Sequence, residues 1–304
     1  MNPLRNVLIC RTDRIGDVVL TLPLARALKE TFPGCRVAFL VRDYTRPLLQ
    51  GHPFVDEIHV ARERAGKMLV GENAHRLRAR GFDCAIAVFP TPRIAASLVR
   101  AGIPRRIGTR YRWYSPLFTD RVDLHRRDTA GHELEHNFRL LEPLGHNLRP
   151  TPETIRFDLT PSTQALAEVR RVLREAGIAS DRPFVVAHPG SGGSAADLPL
   201  SKLRELVTGL AADGIPVVVT GTAAEQSLAR VLSERSPGVS DLSGRFDLAQ
   251  LTACLSLASL VIANSTGPIH TAAGPGRPVL GFYPRARSCG ADRWGPYSPR
   301  SRVF

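Results

Sequence analysis

Acidic residues are in short supply in this chain. Its 304 residues include 28 Asp or Glu against 41 Lys or Arg, a formal net charge of +13. That imbalance points to an anionic partner, and nucleic acid, an acidic lipid surface and a phosphorylated substrate all qualify. A solvated basic surface with no specific ligand is the plainer alternative. The arginines are densest at 100–112 and 121–127. Cysteine is also scarce. Cys10, Cys35, Cys84, Cys254 and Cys289 are scattered, odd in number and without Cys-x-x-Cys spacing. This excludes a disulfide framework and a zinc site of the usual spacing. Cys10 and Cys84 fall in apolar, strand-like runs and read as buried thiols.

Aromatic residues make up only 6% of the chain. No aromatic-basic platform of the kind used for single strands stands out, so nucleic acid is not an expected partner. Apolar runs stay well short of the ~20 residues that span a bilayer. The start, Met1-Asn2-Pro3-Leu4-Arg5, runs directly into Val7–Cys10, without the apolar stretch and cleavage site of a signal peptide. A cytoplasmic protein is expected. Neither a Gly-x-Gly-x-x-Gly fingerprint nor a Gly-Lys-Ser/Thr phosphate loop is present.

What the chain does have is alternation. Val7–Cys10, Arg36–Val41 and Cys84–Phe89 are short apolar runs of the kind buried on both faces of a parallel sheet. A helical pattern spans about Val18–Phe32. The pattern then restarts. Arg182–His188, Ile215–Thr220, Leu260–Asn264 and Pro278–Tyr283 read as strands, Pro199–Ala212 and Ala223–Arg235 as helices. Leu148–Ser162, with Pro150, Pro152 and Pro161, lies between the two sets and reads as a linker. The expected fold class is α/β, with two doubly wound domains at 1–155 and 156–304.

Four motifs sit at strand ends. In the first, Arg11-Thr12-Asp13-Arg14-Ile15-Gly16-Asp17, Gly16 permits a tight turn and Asp17 lies at a helix start. Asp17 is there either a helix cap or a general base toward a hydroxyl. Asp13 adds a carboxylate, and Arg11 and Arg14 add cations. In the second, His188-Pro189-Gly190-Ser191-Gly192-Gly193-Ser194, small residues let amides approach a phosphate. A plain flexible loop is the alternative. In the third, Thr220-Gly221-Thr222-Ala223-Ala224-Glu225, Glu225 either binds ribose hydroxyls or favours a helix N-terminus. In the fourth, Asn264 to Ala273, Ser265 or Thr266 can cap a helix opened by Pro268. The amides near Thr266 and Gly267 suit an anion, and His270 lies one turn along.

Taken in this order, and with Arg293-Trp294-Gly295-Pro296 near the end, these motifs resemble the glycosyltransferase family 9 heptosyltransferases over nearly the whole chain. The resemblance implies a GT-B fold, two Rossmann-like domains facing a central cleft. The first would bind the acceptor and the second the nucleotide sugar. It implies an inverting transfer of heptose from an ADP-sugar donor, ADP-heptose, to the inner core of lipopolysaccharide, an anionic glycolipid, with neither metal nor cofactor. Asp17 would be the catalytic base, on an acceptor loop with Arg11, Asp13, Arg14 and Gly16. Ser191, Gly192, Thr222, Glu225, Ser265, Thr266, Gly267 and His270 would contact the nucleotide sugar. The acceptor would place the protein at the inner face of the cytoplasmic membrane, in peripheral contact with an anionic surface.

The chain departs from the family in two places. Ser265 stands where many members have an Asp, and Ala195–Pro199 lacks the lysine that many carry there. A transferase with another nucleotide sugar or acceptor therefore stays open, as does a non-catalytic relative that binds anionic ligands. Family members usually continue with a further helical segment, whereas this chain ends at Phe304, soon after Trp294. Whether that end is natural is left open.

Overall fold

The computed structural model describes residues 4–125, 130–193, 195–286 and 289–304. Met1-Asn2-Pro3, Arg126 and Arg127 of the second arginine cluster, and Ser194 of the second motif lie outside the described residues. The chain divides into two compact units, and the first ends at Asp158. That boundary falls within the proline-bearing 148–162 segment. Phe157 and Asp158, where the first unit ends, are tied to the rest of it: the Arg26 guanidinium donates to both oxygens of Asp158, and a ring nitrogen of His52 lies 2.9 Å from the Phe157 carbonyl.

The first unit is built on strands β1 (Asn6–Cys10), β2 (Arg36–Val41), β3 (Glu57–Val60), a two-stranded hairpin β4 (Glu63–Arg64) and β5 (Lys67–Met68), then β6 (Cys84–Ala87), β7 (Arg105–Thr109) and β8 (Asp120–Val122). Six of them form one parallel sheet in the order β3-β2-β1-β6-β7-β8. Its helices are α1 (Ile15–Val19), α2 (Pro23–Thr31), α3 (Val70–Arg78), α4 (Pro92–Arg100) and α5 (Glu133–Arg139). The expected single helix over about 18–32 is two helices. Pro23 has no amide hydrogen, so the ladder cannot continue through it, and tighter bonds such as Leu24 N to Thr21 O carry the chain around.

The second unit repeats this plan. Its strands are β9 (Val185–His188), β10 (Val217–Val219), β11 (Val239–Asp241), β12 (Leu260–Asn264), β13 (Val279–Phe282) and β14 (Ser301–Val303), paired in the order β11-β10-β9-β12-β13-β14. Its helices are α6 (Thr163–Glu175), α7 (Leu200–Ala212), α8 (Gln226–Ser233), α9 (Leu248–Leu257), α10 (Gly267–Ala273) and α11 (Ala291–Trp294). Counted within each sheet, both units have the strand order 3-2-1-4-5-6 of the doubly wound dinucleotide folds. The order reverses beside the first strand, between β1 and β6 in one unit and between β9 and β12 in the other. Two connections leave in opposite directions there, which opens a crevice at the carboxyl ends of the strands.

Burial on both faces explains why these strands read as continuous apolar runs. Val186, Val218, Val261 and Ala263 pack toward α6, α9 and α10. Their neighbours Val185, Ala187, Val217, Val219 and Ile262 pack with Leu203 and Val207 of α7 and Ala229 and Leu232 of α8. Alternating side chains of one strand serve opposite layers. In the first unit Leu8, Cys10, Ala38, Leu40, Ala85 and Ala87 form one such layer with α3 and α4. Cys10 and Cys84 are buried free thiols, and desolvation pushes the Cys84 thiol up to about 12. Among the described residues no helix is long and apolar enough to cross a membrane.

The first sheet has one tight spot that tests this packing. A Cβ on Gly108 in β7 would lie 2.6 Å from the Phe118 ring. Gly108→Ala should therefore cost about 1–3 kcal/mol in urea unfolding, whereas an unchanged midpoint would show that the ring moves freely.

Candidate functional site

In each unit the motifs gather at the carboxyl end of the sheet, at the point where the strand order reverses. In the first unit the loop that leaves β1 carries Arg11, Asp13, Arg14, Gly16 and Asp17. Arg11 N bonds the Leu40 carbonyl of β2, while Val88 and Phe89, just past β6, donate to the Cys10 carbonyl. The loop therefore starts pinned between its two neighbouring strands.

Arg11, a cation of the acceptor loop by the family resemblance, points away from solvent. Its side chain is 1% exposed and turns inward among three carboxylates. Nε donates to Asp13 at 2.8 Å, one terminal nitrogen pairs with Asp17, and the other reaches Glu133 and Asn137, each at 3.4 Å. A buried guanidinium needs anions, and this one recruits them from its own loop and from α5. Burial disfavours its charge, but Asp13, Asp17 and Glu133 together outweigh that, and its pKa is raised.

Asn137 anchors the cluster to the chain that follows α1, since its amide donates to the Leu20 carbonyl at 3.0 Å and to Thr21 Oγ1 at 3.4 Å. Thr21 Oγ1 in turn donates to the Asp17 carbonyl at 2.8 Å. Sequence reasoning missed Glu133 and Asn137. They lie more than a hundred residues from Arg11, and neither belongs to a motif.

Asp17 is the third residue of α1 and makes no capping hydrogen bond; the cap position belongs to Arg14, which is exposed. The cap reading of Asp17 is thus corrected. Its carboxylate is held by Arg11 and keeps 14% of its side chain exposed. Gly16 is buried beside it. Asp13 is the electrostatic oddity. Burial raises its carboxyl first, Asp17 adds to this, and Arg11 offsets part of it, so the group rises from 3.8 to about 7. One cation among three carboxylates favours keeping a proton on one of them.

In the second unit the other motifs meet on three adjacent strand ends. Asn264, 2% exposed at the end of β12, donates to the Pro189 carbonyl at 2.6 Å and accepts from Leu198 N at 3.0 Å. It thereby fastens the loop after β9, which carries Ser191 and Gly192, to the end of β12, which Ser265, Thr266 and Gly267 follow. Gly192 and Gly193 both have positive φ, which turns the loop sharply after Ser191. Ser191 Oγ donates to the Ala195 carbonyl at 3.3 Å.

Glu225 closes the third side. One of its oxygens accepts from Thr222 N and Thr222 Oγ1, both at 2.8 Å, so its favourable role at a helix start is realised. The other lies over Gly190, where a Cβ would come within 1.8 Å of it. His188, buried under the loop, sits 3.0 Å from Thr220 Oγ1 and is held below its usual pKa by desolvation. Thr266 occupies the cap position of α10 without a capping side-chain bond. His270, one turn in, is buried, and the Tyr283 phenol lies against Ser265. Among the described residues no group of three or more His, Cys, Asp or Glu is arranged to hold a metal ion.

Known proteins align with this arrangement. The model of the family described as Glycosyltransferase family 9 (heptosyltransferase) matches residues 70–304. That match begins after the Asp17 loop. A "Putative glycosyltransferase" of Haemophilus influenzae is 29% identical over 305 residues, spanning 96% of this chain and 86% of that protein. Lipopolysaccharide heptosyltransferase 2 of Salmonella typhimurium is 26% identical over 308 residues, spanning 98% and 87%. Among solved structures, a family 9 glycosyl transferase from Veillonella parvula has a TM-score of 0.87 at 19% identity, covering 100% of this chain and 87% of that one. The ADP-heptose lipopolysaccharide heptosyltransferase II of E. coli has a TM-score of 0.79 at 23% identity, covering 99% and 90%. These likenesses establish the two-unit GT-B fold.

The raised Asp13 has a consequence for stability. Its carboxyl ionises near 3.8 when unfolded and near 7 when folded. The folded state therefore holds the extra proton between those values, and this group's contribution falls as pH rises through that window. Asp13→Asn keeps an oxygen for Arg11 and removes the titration. Its melting temperature should exceed the parent's at pH 8 and approach it near pH 4; equal shifts at both would show that Asp13 does not titrate in that range.

Proposed function

The chain belongs to glycosyltransferase family 9, and on that premise we propose that it transfers heptose from ADP-heptose to the anionic inner core of lipopolysaccharide. It is an enzyme of glycosyl transfer. The first unit serves the acceptor and the second the nucleotide sugar. An acceptor hydroxyl attacks the anomeric carbon and gives its proton to Asp17, the bond to the diphosphate breaks on the opposite face, and the sugar is inverted. ADP leaves with the bond's electron pair. The amides of the Ser191–Gly192 and Thr266–Gly267 turns offset that developing charge, so no metal is required.

The observation that carries this reading is the setting of Asp17. Its carboxylate stands at the strand-order reversal of the first sheet, partly open to solvent and oriented by a buried cation. A general base needs a fixed direction and access to the hydroxyl it serves. Glu225, Ser265 and His270 surround the equivalent point of the second sheet and suit a nucleotide sugar, with Glu225 directed to the ribose. The net +13 charge supports contact with a phosphorylated glycolipid at an anionic membrane face, and nucleic acid is not a partner.

Asp17→Asn preserves size and removes the base. Turnover should fall by about 10²- to 10⁴-fold, while ADP binding measured by calorimetry stays near the parent's. Full turnover in that variant would sink the base assignment.

A second reading changes the donor. Ser265 stands where many of the family have an Asp, and the relative at 29% identity carries the name of no particular sugar. Thermal-shift screening with ADP-, GDP- and UDP-sugars separates the two. Stabilisation by ADP-heptose alone supports heptose; stabilisation by GDP- or UDP-sugars without ADP-sugars replaces it.

A further inference from the structure

The turn after β7 reads Arg110-Tyr111-Arg112-Trp113-Tyr114; its arginines close the basic cluster at 100–112, and its aromatic residues were not singled out from the sequence. It leaves the same carboxyl edge of the first sheet as the Asp17 loop, two strands away from β1. The turn is braced from beneath. Ser115, 2% exposed, donates to the Thr109 carbonyl at 2.6 Å and accepts from Arg112 N at 3.0 Å. Tyr114 is buried, and its hydroxyl donates to the Pro90 carbonyl at 2.5 Å. Above this base Trp113 projects with 83% of its surface exposed, its ring edge-on to Tyr114 at 5.5 Å. Phe89, beside Pro90, is 37% exposed, and its amide bonds the Cys10 carbonyl next to Arg11. A hydrogen-bonded path therefore runs from the start of the Asp17 loop through Phe89 and Pro90 to Tyr114, the neighbour of Trp113.

The charges on this edge are mostly positive. Arg14, Arg93, Arg110 and Arg112 are all exposed. Asp123 opposes them, pairing with Arg110 at 3.1 Å and accepting from the Tyr111 hydroxyl. Exposing a tryptophan this far leaves a large apolar surface in water, and a braced turn keeps it from folding back.

We propose that Phe89 and the Arg110–Trp113 turn are a docking element for an anionic bilayer surface, with Trp113 seated at the headgroup level and the arginines on lipid phosphates. Tryptophan favours that depth because its ring is apolar and its N–H is polar. Basic residues nearby gain affinity from anionic lipids. A single-stranded nucleic acid fits less well, because it needs successive stacking faces. Here Tyr114 is buried, and Tyr111 is engaged by Asp123 and packed on His125 at 4.7 Å. The element would hold the enzyme where a membrane-borne acceptor reaches the Asp17 loop, so it deepens the function proposed above. It is tested separately from it.

The chain has two tryptophans, so Trp294→Phe leaves Trp113 as the sole reporter. Vesicles of mixed phosphatidylcholine and phosphatidylglycerol should move its emission to the blue, and vesicles of phosphatidylcholine alone should not. In sedimentation with the mixed vesicles, Arg110→Ala/Arg112→Ala should bind roughly ten- to thirty-fold more weakly at low salt. Trp113→Ala should also bind more weakly, with melting temperatures unchanged. Unshifted emission, or parental binding by both variants, overturns the docking element. So does a blue shift produced by an oligonucleotide or a soluble glycan in place of vesicles. A chain that binds vesicles but transfers no sugar would remove the function above and leave this element standing.

Discussion

A guanidinium with 1% of its side chain in contact with water cannot hold its charge alone, and Arg11 meets three carboxylates at the end of β1. Removing ions from water costs several kcal/mol each, so such a cluster persists only with good geometry and further hydrogen bonds. Asn137, Thr21 and the Cys10 carbonyl supply those bonds and fasten the loop to α5, to the chain after α1 and to β6. The position of Asp17 depends on all of them. Its carboxylate is aimed by a cation that itself has no freedom to turn.

The second unit solves a similar problem without an ion cluster. There Asn264, at the end of β12, uses both ends of its amide to hold the loop between β9 and α7 at Pro189 and Leu198. Burying an amide is tolerable when donor and acceptor are both satisfied. The loop it holds then presents small residues. Gly190 must lack a side chain because Glu225 occupies that space, and Glu225 is in place because Thr222 caps it. The two units share one strand order but use it differently.

The legibility of this arrangement was uneven. Strands such as Arg36–Val41 and Leu260–Asn264 matched to the residue, because burial on both faces leaves an unbroken apolar run. Strands β8, β11 and β14 are short edge strands whose polar, partly exposed residues leave no apolar run to read, unlike the equally short but fully buried β10. The helix break at Pro23 was readable in principle, since proline cannot donate to the ladder. Motif residues were found because glycine, proline and short polar residues cluster at strand ends. Glu133 and Asn137 were not found, because an ordinary helix residue gives no local sign of what it meets across the fold.

By itself the sequence determined the alternation of strands and helices, the two-fold repetition of that plan, and the four loops where chemistry could sit. Those features follow from local rules: periodicity, turn geometry and burial. Only the tertiary structure decided that Arg11 turns inward, that Asp13 is held near neutrality, that Asp17 is aimed rather than capping, and that Trp113 stands out in solvent. Each of those depends on the local dielectric and on partners brought from distant parts of the chain, and neither quantity is written in a stretch of neighbouring residues.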